Sequence, residues 1–301
     1  MGFKENHSNV KLENVQDFEM MFERLKVNRP REAATYYTLL IMDAPKEFSE
    51  MLRYASDLVN MTRRPLETGR SSLLKFGLIA EVLFAEDNNE FGRESFLPVH
   101  PEVIWLDVRD DLKKVVSSET FNSIENRLAG YIDAYDDNYK TYGLKLRRHG
   151  NVTLRYSGRW VLYNILHNCM KQNDSLDIQI GGNRLFDDPY FGYFKQFLEL
   201  NNNVRLIVDE NINQKLVDDL MSKYGEKLDI RCFNEATAGT MRNYVFGKQL
   251  AINGIKILQE NHNEPSYVGT AYVEPHEIEM LSCKFDDLWD LAKPVCKKKA
   301  S

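Results

Sequence analysis

Cysteine is scarce in this 301-residue chain: Cys169, Cys232, Cys283 and Cys296 are the only four. They form no C-x-x-C pair and have no histidine at ligand spacing, so a disulfide framework and a zinc site are both excluded. Long apolar runs are missing too, none nearing the ~18 residues of a transmembrane helix. The opening MGFKENHSNVKLENV lacks the apolar block of a secretion signal, and Asn6 stands where a myristoylation motif wants Ser or Thr. The expectation is a cytoplasmic protein with no membrane partner. Positive charge is not in excess: the formal net charge is −6 and the pI is about 5.6. That excludes a surface that coats nucleic acid everywhere but leaves room for a local basic patch. Repeats and phosphate-cradling glycine motifs are also absent. Gly181-Gly182-Asn183 reads as a plain turn and Asp187-Asp188-Pro189 as a helix start, so no cofactor and no metal are expected.

What is present is length enough for two domains and a clear change of period along the chain. Residues 1–30 read as an N-terminal extension with one short amphipathic piece, VQDFEMMFERLKV. REAATYYTLLIM, EFSEMLRYASDLVN and the stretch from Thr62 to about Phe76 follow as three helices, the last with Pro65 in its first turn and Gly77 at its end. LIAEVLF and RESFLPV then alternate as two strands around the turn cluster EDNNEFG. Three helices followed by a two-stranded wing is the winged-helix order, assigned to residues 31–107.

Residues 108–150 form a long polar segment. Phe121, Ile124, Leu128, Tyr131, Tyr135 and Tyr142 recur at steps of 3, 4, 3, 4 and 7, with Asn138 between the last two. Two arrangements fit: a helix laid on its own domain, or a dimerising coiled coil with Asn138 as its register device. The charged opposite face favours the coiled coil, and with it a homodimer. From Val152 strands alternate with helices: RWVLYNILHNCM (helix), LDIQI, DDPYFGYFKQFLEL (helix), VRLIV, NQKLVDDLMSKY (helix) and LDIRCF. MRNYVFG, KQLAING, GIKILQE and YVGTAYV then read as hairpin strands, with Asn253-Gly254 a turn signal, before a closing helix from Glu277 to Ala292. This α/β domain is assigned to residues 151–296, leaving 297–301 as a solvated tail.

The chemistry concentrates on the third helix. Arg63, Arg64, Arg70 and Lys75 oppose one carboxylate, Glu67, while Leu66, Gly69, Leu73 and Leu74 make the inward stripe. Such a helix suits a major groove, its N-terminal residues at base edges and its cations on phosphates. Thr62, Ser71 and Ser72 add hydroxyls that could bond phosphate, and Arg93 on the wing could reach the neighbouring backbone. The candidate double-stranded DNA contacts are therefore Thr62, Arg63, Arg64, Glu67, Arg70, Ser71, Lys75 and Arg93. Glu86, Asp87 and Glu90 at the wing tip would repel phosphate there.

LLIMDAPKEFSEM, PLETGRSSLLKFGLIAEV and RESFLPVHPEVIW resemble the N-terminal winged helix of the TrmB family of archaeal transcriptional regulators. The Leu-x-x-x-Gly-Leu stop from Leu73 to Leu78 and the Phe96–Glu102 segment carry the likeness. VRLIVDE, LDIRCF, MRNYVFGKQLAI and FDDLWDLAKP resemble the phospholipase D-like domain that follows in that family. The resemblance covers nearly all of residues 31–296. It implies an α+β and α/β architecture of winged helix-turn-helix, linker helix and phospholipase D-like domain. It also implies that this last domain pairs copies or senses a small-molecule effector. Catalysis in that class needs His-x-Lys-x-x-x-x-Asp, the His attacking phosphorus and the Lys holding its oxygens. Thr240 to Lys248 reads TMRNYVFGK, and none of the six histidines begins a His-x-Lys; His167 reads as a core histidine and Arg242 as a structural or anion-binding arginine. The expectation is a DNA-binding transcriptional regulator that is not an enzyme. The alternatives are an assembly protein whose winged helix binds protein and, behind it, a phosphodiesterase or nuclease.

Overall fold

Helices α1 (Leu12–Arg24), α2 (Pro30–Asp43), α3 (Phe48–Val59) and α4 (Arg63–Phe76) follow one another, then strands β1 (Ile79–Phe84) and β2 (Ser95–Pro98), then α5 (Pro101–Val115) and α6 (Ser118–Arg148). This computed structural model describes residues 10–43, 48–84, 95–148, 152–157, 175–179, 203–209, 213–233, 241–257 and 266–295, with 192, 194, 195, 198 and 199. The chain divides into two units, Met1–Glu81 with Arg93–Lys145 and Val82–Gly92 with Leu146–Ser301.

The first unit differs from the expected division. Residues 1–30 are not an extension outside the helical core, because α1 buries Phe18, Met21 and Phe22 completely. Phe18 meets the Tyr37 ring of α2 at 4.8 Å and the Tyr131 ring of α6 at 4.9 Å. The segment from residue 108 is two helices, not one. Ser117 interrupts it, its Oγ accepting from the Thr120 amide at 3.1 Å as an N-cap does for α6. His100 caps α5 in the same way, its Nδ1 accepting from the Glu102 amide at 3.2 Å with Pro101 in the first turn. Helix α4 stops at Gly77, whose φ of 85° lets the Gly77 and Leu78 amides fold back onto the Leu73 carbonyl, each at 2.9 Å.

Buried hydroxyls give this unit a pH limit. Burial raises Tyr37 and Tyr131 above the ordinary tyrosine value of 10.0, and for Tyr131 its hydrogen bond to Asp17 adds to the rise. Both rings are neutral in either state at lower pH, so their contribution is fully present there. Above about pH 10 the unfolded chain ionises first, and stability falls as pH climbs toward the folded values. Urea midpoints followed from about pH 8 to 11 should stay level and then drop, and Tyr37→Phe with Tyr131→Phe should flatten that drop. A drop of the same size in the double variant would contradict this.

The second unit is built on a mixed sheet. Its strands are β3 (Val152–Ser157), β4 (Ser175–Gln179), β5 (Asn203–Asp209), β6 (Leu228–Phe233), β7 (Met241–Phe246), β8 (Leu250–Ile257), β9 (Ser266–Tyr272) and β10 (Lys293–Pro294), in spatial order β10-β6-β5-β4-β7-β8-β9-β3. β4, β5 and β6 are parallel and the remaining pairings antiparallel. Helix α7 (Gln214–Tyr224) joins β5 to β6, its N-cap Asn213 accepting from the Leu216 amide. Helix α8 (Pro275–Leu291) packs Ile278 and Leu281 on Val245 and Ala251, and Phe285 and Trp289 on Ile207. The expected turn at Asn253-Gly254 does not form. β8 runs straight through it, with Asn253 opposite Asn243 and Gly254 opposite Gly269, and the chain turns instead at Gly247, φ 52°. Pairing on both sides of the strand overrides the local turn preference. The helices expected at 159–170 and 187–200 fall largely outside the described residues.

Candidate functional site

Helix α4 faces two ways. Leu66, Gly69, Ser72 and Leu73 are buried, while Thr62, Arg63, Arg64, Ser71 and Lys75 are exposed. The close fit comes from Gly69: a Cβ there would lie 2.2 Å from the Glu32 carbonyl oxygen, so α4 runs directly against the backbone of α2. Arg64, Thr68, Ser71 and Lys75 fall at steps of four, three and four, which places them on one outward face.

The sequence-derived contacts on α4 do not all remain available. Ser71 donates to the Glu67 carbonyl at 2.9 Å, so its hydroxyl proton is bound to the helix itself, and Ser72 is buried and so cannot reach a phosphate. Thr68, beside them and not among the expected contacts, likewise donates to the Arg64 carbonyl at 2.9 Å. The Thr62 side chain makes no cap bond. The Arg70 guanidinium lies 5.7 Å from the Phe48 ring and 5.6 Å from the Phe96 ring, half-buried between α3 and β2. It acts as a strut holding α4 against its neighbours, a role sequence spacing alone could not show. Arg63 donates from Nε to Glu67 Oε1 at 2.8 Å and sits over Phe48 at 5.7 Å. Arg64 and Lys75 project from opposite ends of the exposed face. Arg93 lies outside the described residues.

The coiled-coil seam is corrected by the structure. Phe121, Ile124, Leu128, Tyr131 and Tyr135 are buried within a single chain. Tyr135 donates to the Pro98 carbonyl at 3.1 Å, Asn138 to the Ile41 carbonyl at 2.6 Å and Tyr139 to the Leu40 carbonyl at 3.0 Å. Asn138 is therefore no register device between copies. With Tyr139 it satisfies carbonyls in the last turn of α2, which have no partner inside their own helix. Tyr142 lies beyond the described side chains. A heptad pattern records which face is covered but not what covers it, and here the cover is the unit's own core.

One buried polar cluster escaped the sequence. Asp17, 1% exposed, accepts from Arg127 Nε and Nη2, both at 2.7 Å, and from the Tyr131 hydroxyl at 2.5 Å. Asn14 donates to Tyr131 at 3.2 Å, and Arg127 Nη1 donates to Ser123. These bonds raise Arg127 above the ordinary arginine value. The cluster ties α1 to α6.

In the second unit Arg205 takes a corresponding place. It is bidentate to Asp177 at 2.7 and 2.8 Å, bonds Asp286 at 2.7 Å and stacks on Phe285 at 4.9 Å. This fixes α8 across β4 and β5. A groove of about 500 Å³ beside it is lined by Ser175, Asn203, Met221, Lys227 and Asp229. Lys227 donates to the Leu198 and Glu199 carbonyls, so its ammonium is already engaged. Arg242 is buried on β7. Gln179 accepts from Asn243 at 2.6 Å where β4 ends. Among the described residues no three His, Cys, Asp or Glu side chains gather to hold a metal, and no helix is long and apolar enough to cross a membrane. His167 and Gly181-Gly182-Asn183 lie outside them.

The two units define a mixed helix-and-sheet protein: a helical unit presenting one basic helix face, and a sheet unit with a parallel centre and antiparallel flank. Among solved structures the chain is similar to TrmBL2, an archaeal chromatin protein whose structure shows a novel mode of DNA binding. That likeness has 11% identity and a TM-score of 0.36, covering 93% of this chain and 100% of that one. It is also similar to a phospholipase D family member, Nuc from Salmonella typhimurium (11% identity, TM-score 0.36, 46% of this chain and 93% of that one). NucT from Helicobacter pylori is similar at 12% identity and TM-score 0.36, over 48% of this chain and 99% of that one. No family model matches the sequence, and no curated protein matches it. The likeness to the two Nuc-type proteins overturns the expectation that the chain is not an enzyme, and that exclusion is withdrawn.

Proposed function

We propose that the chain is a double-stranded-DNA-binding transcriptional regulator. Helices α2 to α4 with β1 and β2 act as a winged helix and α4 enters the major groove. One observation carries this reading: Arg63 and Arg64 are exposed in the first turn of α4, where no acidic residue accompanies them. Cations there oppose the helix dipole at a cost of about 0.3–1 kcal/mol each. Arg63 is offset by Glu67 and the Phe48 ring, but Arg64 has no ion pair or ring contact among the described residues, so its place there points to a ligand, and phosphate supplies the missing negative charge. Lys75 at the far end of the same face would take a second phosphate, and Arg93 on the wing the neighbouring backbone. A second copy of the chain and a small-molecule effector acting through the C-terminal unit complete the proposal; sedimentation with and without duplex tests the first. The homodimer, on this reading, does not use the α6 seam.

Anisotropy titration of labelled duplexes at several salt concentrations tests the assignment. Each phosphate contact contributes about −0.9 to the log–log salt slope. Arg64→Ala with Lys75→Ala should shrink the slope by about 2 and weaken all duplexes alike. Binding whose slope ignores both substitutions would place the interface elsewhere.

A further inference from the structure

Glu67 is the one carboxylate among the α4 cations, and a purely electrostatic phosphate grip would be stronger without it. Its position gives it a second role. Oε1 accepts from Arg63 Nε at 2.8 Å, while the Arg63 side chain remains 72% exposed. The Phe48 ring lies on another side of the guanidinium, 5.7 Å from its carbon. Nε thus already has its acceptor, and among the described residues neither terminal nitrogen of Arg63 has a hydrogen-bond partner. In a guanidinium held by Nε, the edge formed by the two terminal nitrogens points away from the holder. That edge is the fork that takes two acceptors in one plane. The arginine–carboxylate order also argues against a stabilising role, because helix pairs at this spacing favour the carboxylate on the N-terminal side.

We propose that Glu67 is a positioning residue that presents Arg63 to the O6 and N7 acceptors of a single guanine in the major groove. This rests on the reading of α4 as the DNA-facing helix and adds to it which residue sets specificity. Phosphates are gripped by Arg64 and Lys75; one base pair is read by Arg63, pre-set by Glu67. Free arginine would sample many rotamers and meet phosphates as readily as bases. Held by Glu67, it loses that choice before DNA arrives.

The test uses the full chain and a duplex chosen by selection from a randomised pool. Affinity is then measured on the four base-pair variants at each position of the selected site. The wild type should prefer G·C by about tenfold or more at one position, the size expected of a bidentate arginine–guanine contact. Arg63→Lys keeps the charge and should erase that preference while leaving the salt slope unchanged. Glu67→Ala should erase it too, yet bind non-specific duplex more tightly. Glu67→Gln retains an acceptor for Nε and should restore the preference. If Glu67→Ala keeps the full preference, or Arg63→Lys changes no position, the inference fails although the DNA reading stands. If the wild type binds no duplex at low salt, both fail together.

Discussion

A Gly69→Ala chain is expected to lose about 2–3 kcal/mol of first-unit stability, although alanine is the better helix former. The added Cβ would sit 2.2 Å from the Glu32 oxygen, 2.4 Å from the Glu32 carbon and 2.9 Å from the Ala33 nitrogen. All three are backbone atoms in the first turn of α2, so no side chain can swing aside. Reaching ordinary contact requires α4 to move by about 1 Å, and the flanking Leu66 and Leu73 would move with it. Overpacking of this kind costs about 1–3 kcal/mol and sometimes more, against a propensity gain of at most about 1 kcal/mol. Backbone clash wins. Gly130→Ala is the control, since a Cβ on that exposed turn of α6 meets nothing within 4 Å. The same substitution there should raise stability by about 0.5–1 kcal/mol. Equal effects at the two glycines, measured by urea unfolding, would refute the close α2–α4 approach.

Gly69 also shows what was legible from sequence and what was not. Its place on the inward stripe of α4 followed from spacing with Leu66 and Leu73. That its hydrogen is required by the backbone of another helix did not. Local chemistry was read well wherever one residue decides: Pro65 and Gly77 bracket α4 as expected, and the strands around Leu176, Leu206 and Ile230 lie where apolar runs placed them. Pairing partners were the weak point. Asn253-Gly254 carries a strong hairpin signal, but β7 and β9 flank it in register and hold it extended. The α6 aromatics show the same limit on a larger scale, their period being right and their partner wrong. One overlooked signal was available. Val116-Ser117-Ser118-Glu119-Thr120 places a capping serine three residues before Thr120, which marks the break between α5 and α6. Of the basic set on α4, the exposed positions were legible from the stripe. The sandwiching of Arg70 between Phe48 and Phe96 was not, because those rings come from other elements.

Asp17→Ala should be the costliest single truncation of a polar side chain in the first unit, at about 3 kcal/mol. Asp17 stands on the buried stripe of α1 with Asn14, Phe18 and Met21, and a carboxylate in such a stripe requires a partner. Arg127 supplies one from α6, more than a hundred residues away, and Tyr131 a third hydrogen bond. Removing the carboxylate leaves the Tyr131 hydroxyl proton and two guanidinium N–H groups without their acceptor. The full penalty for orphaning a buried ion is about 3–5 kcal/mol, but the Arg127 side chain is 31% exposed and partly reaches water, which sets the lower end. Replacing both ions should cost less than replacing one. Asp17→Leu with Arg127→Met removes the charge and its partner together and fills the space with apolar atoms, so about 1 kcal/mol is expected. A double-mutant cycle on Asp17→Ala and Arg127→Ala should then show coupling of about 1.5–3 kcal/mol. Additive losses would mean that the two groups stabilise α1 and α6 separately. Coupling would show that this ion pair ties α1 to α6 in addition to the packing of Phe18 on Tyr37 and Tyr131.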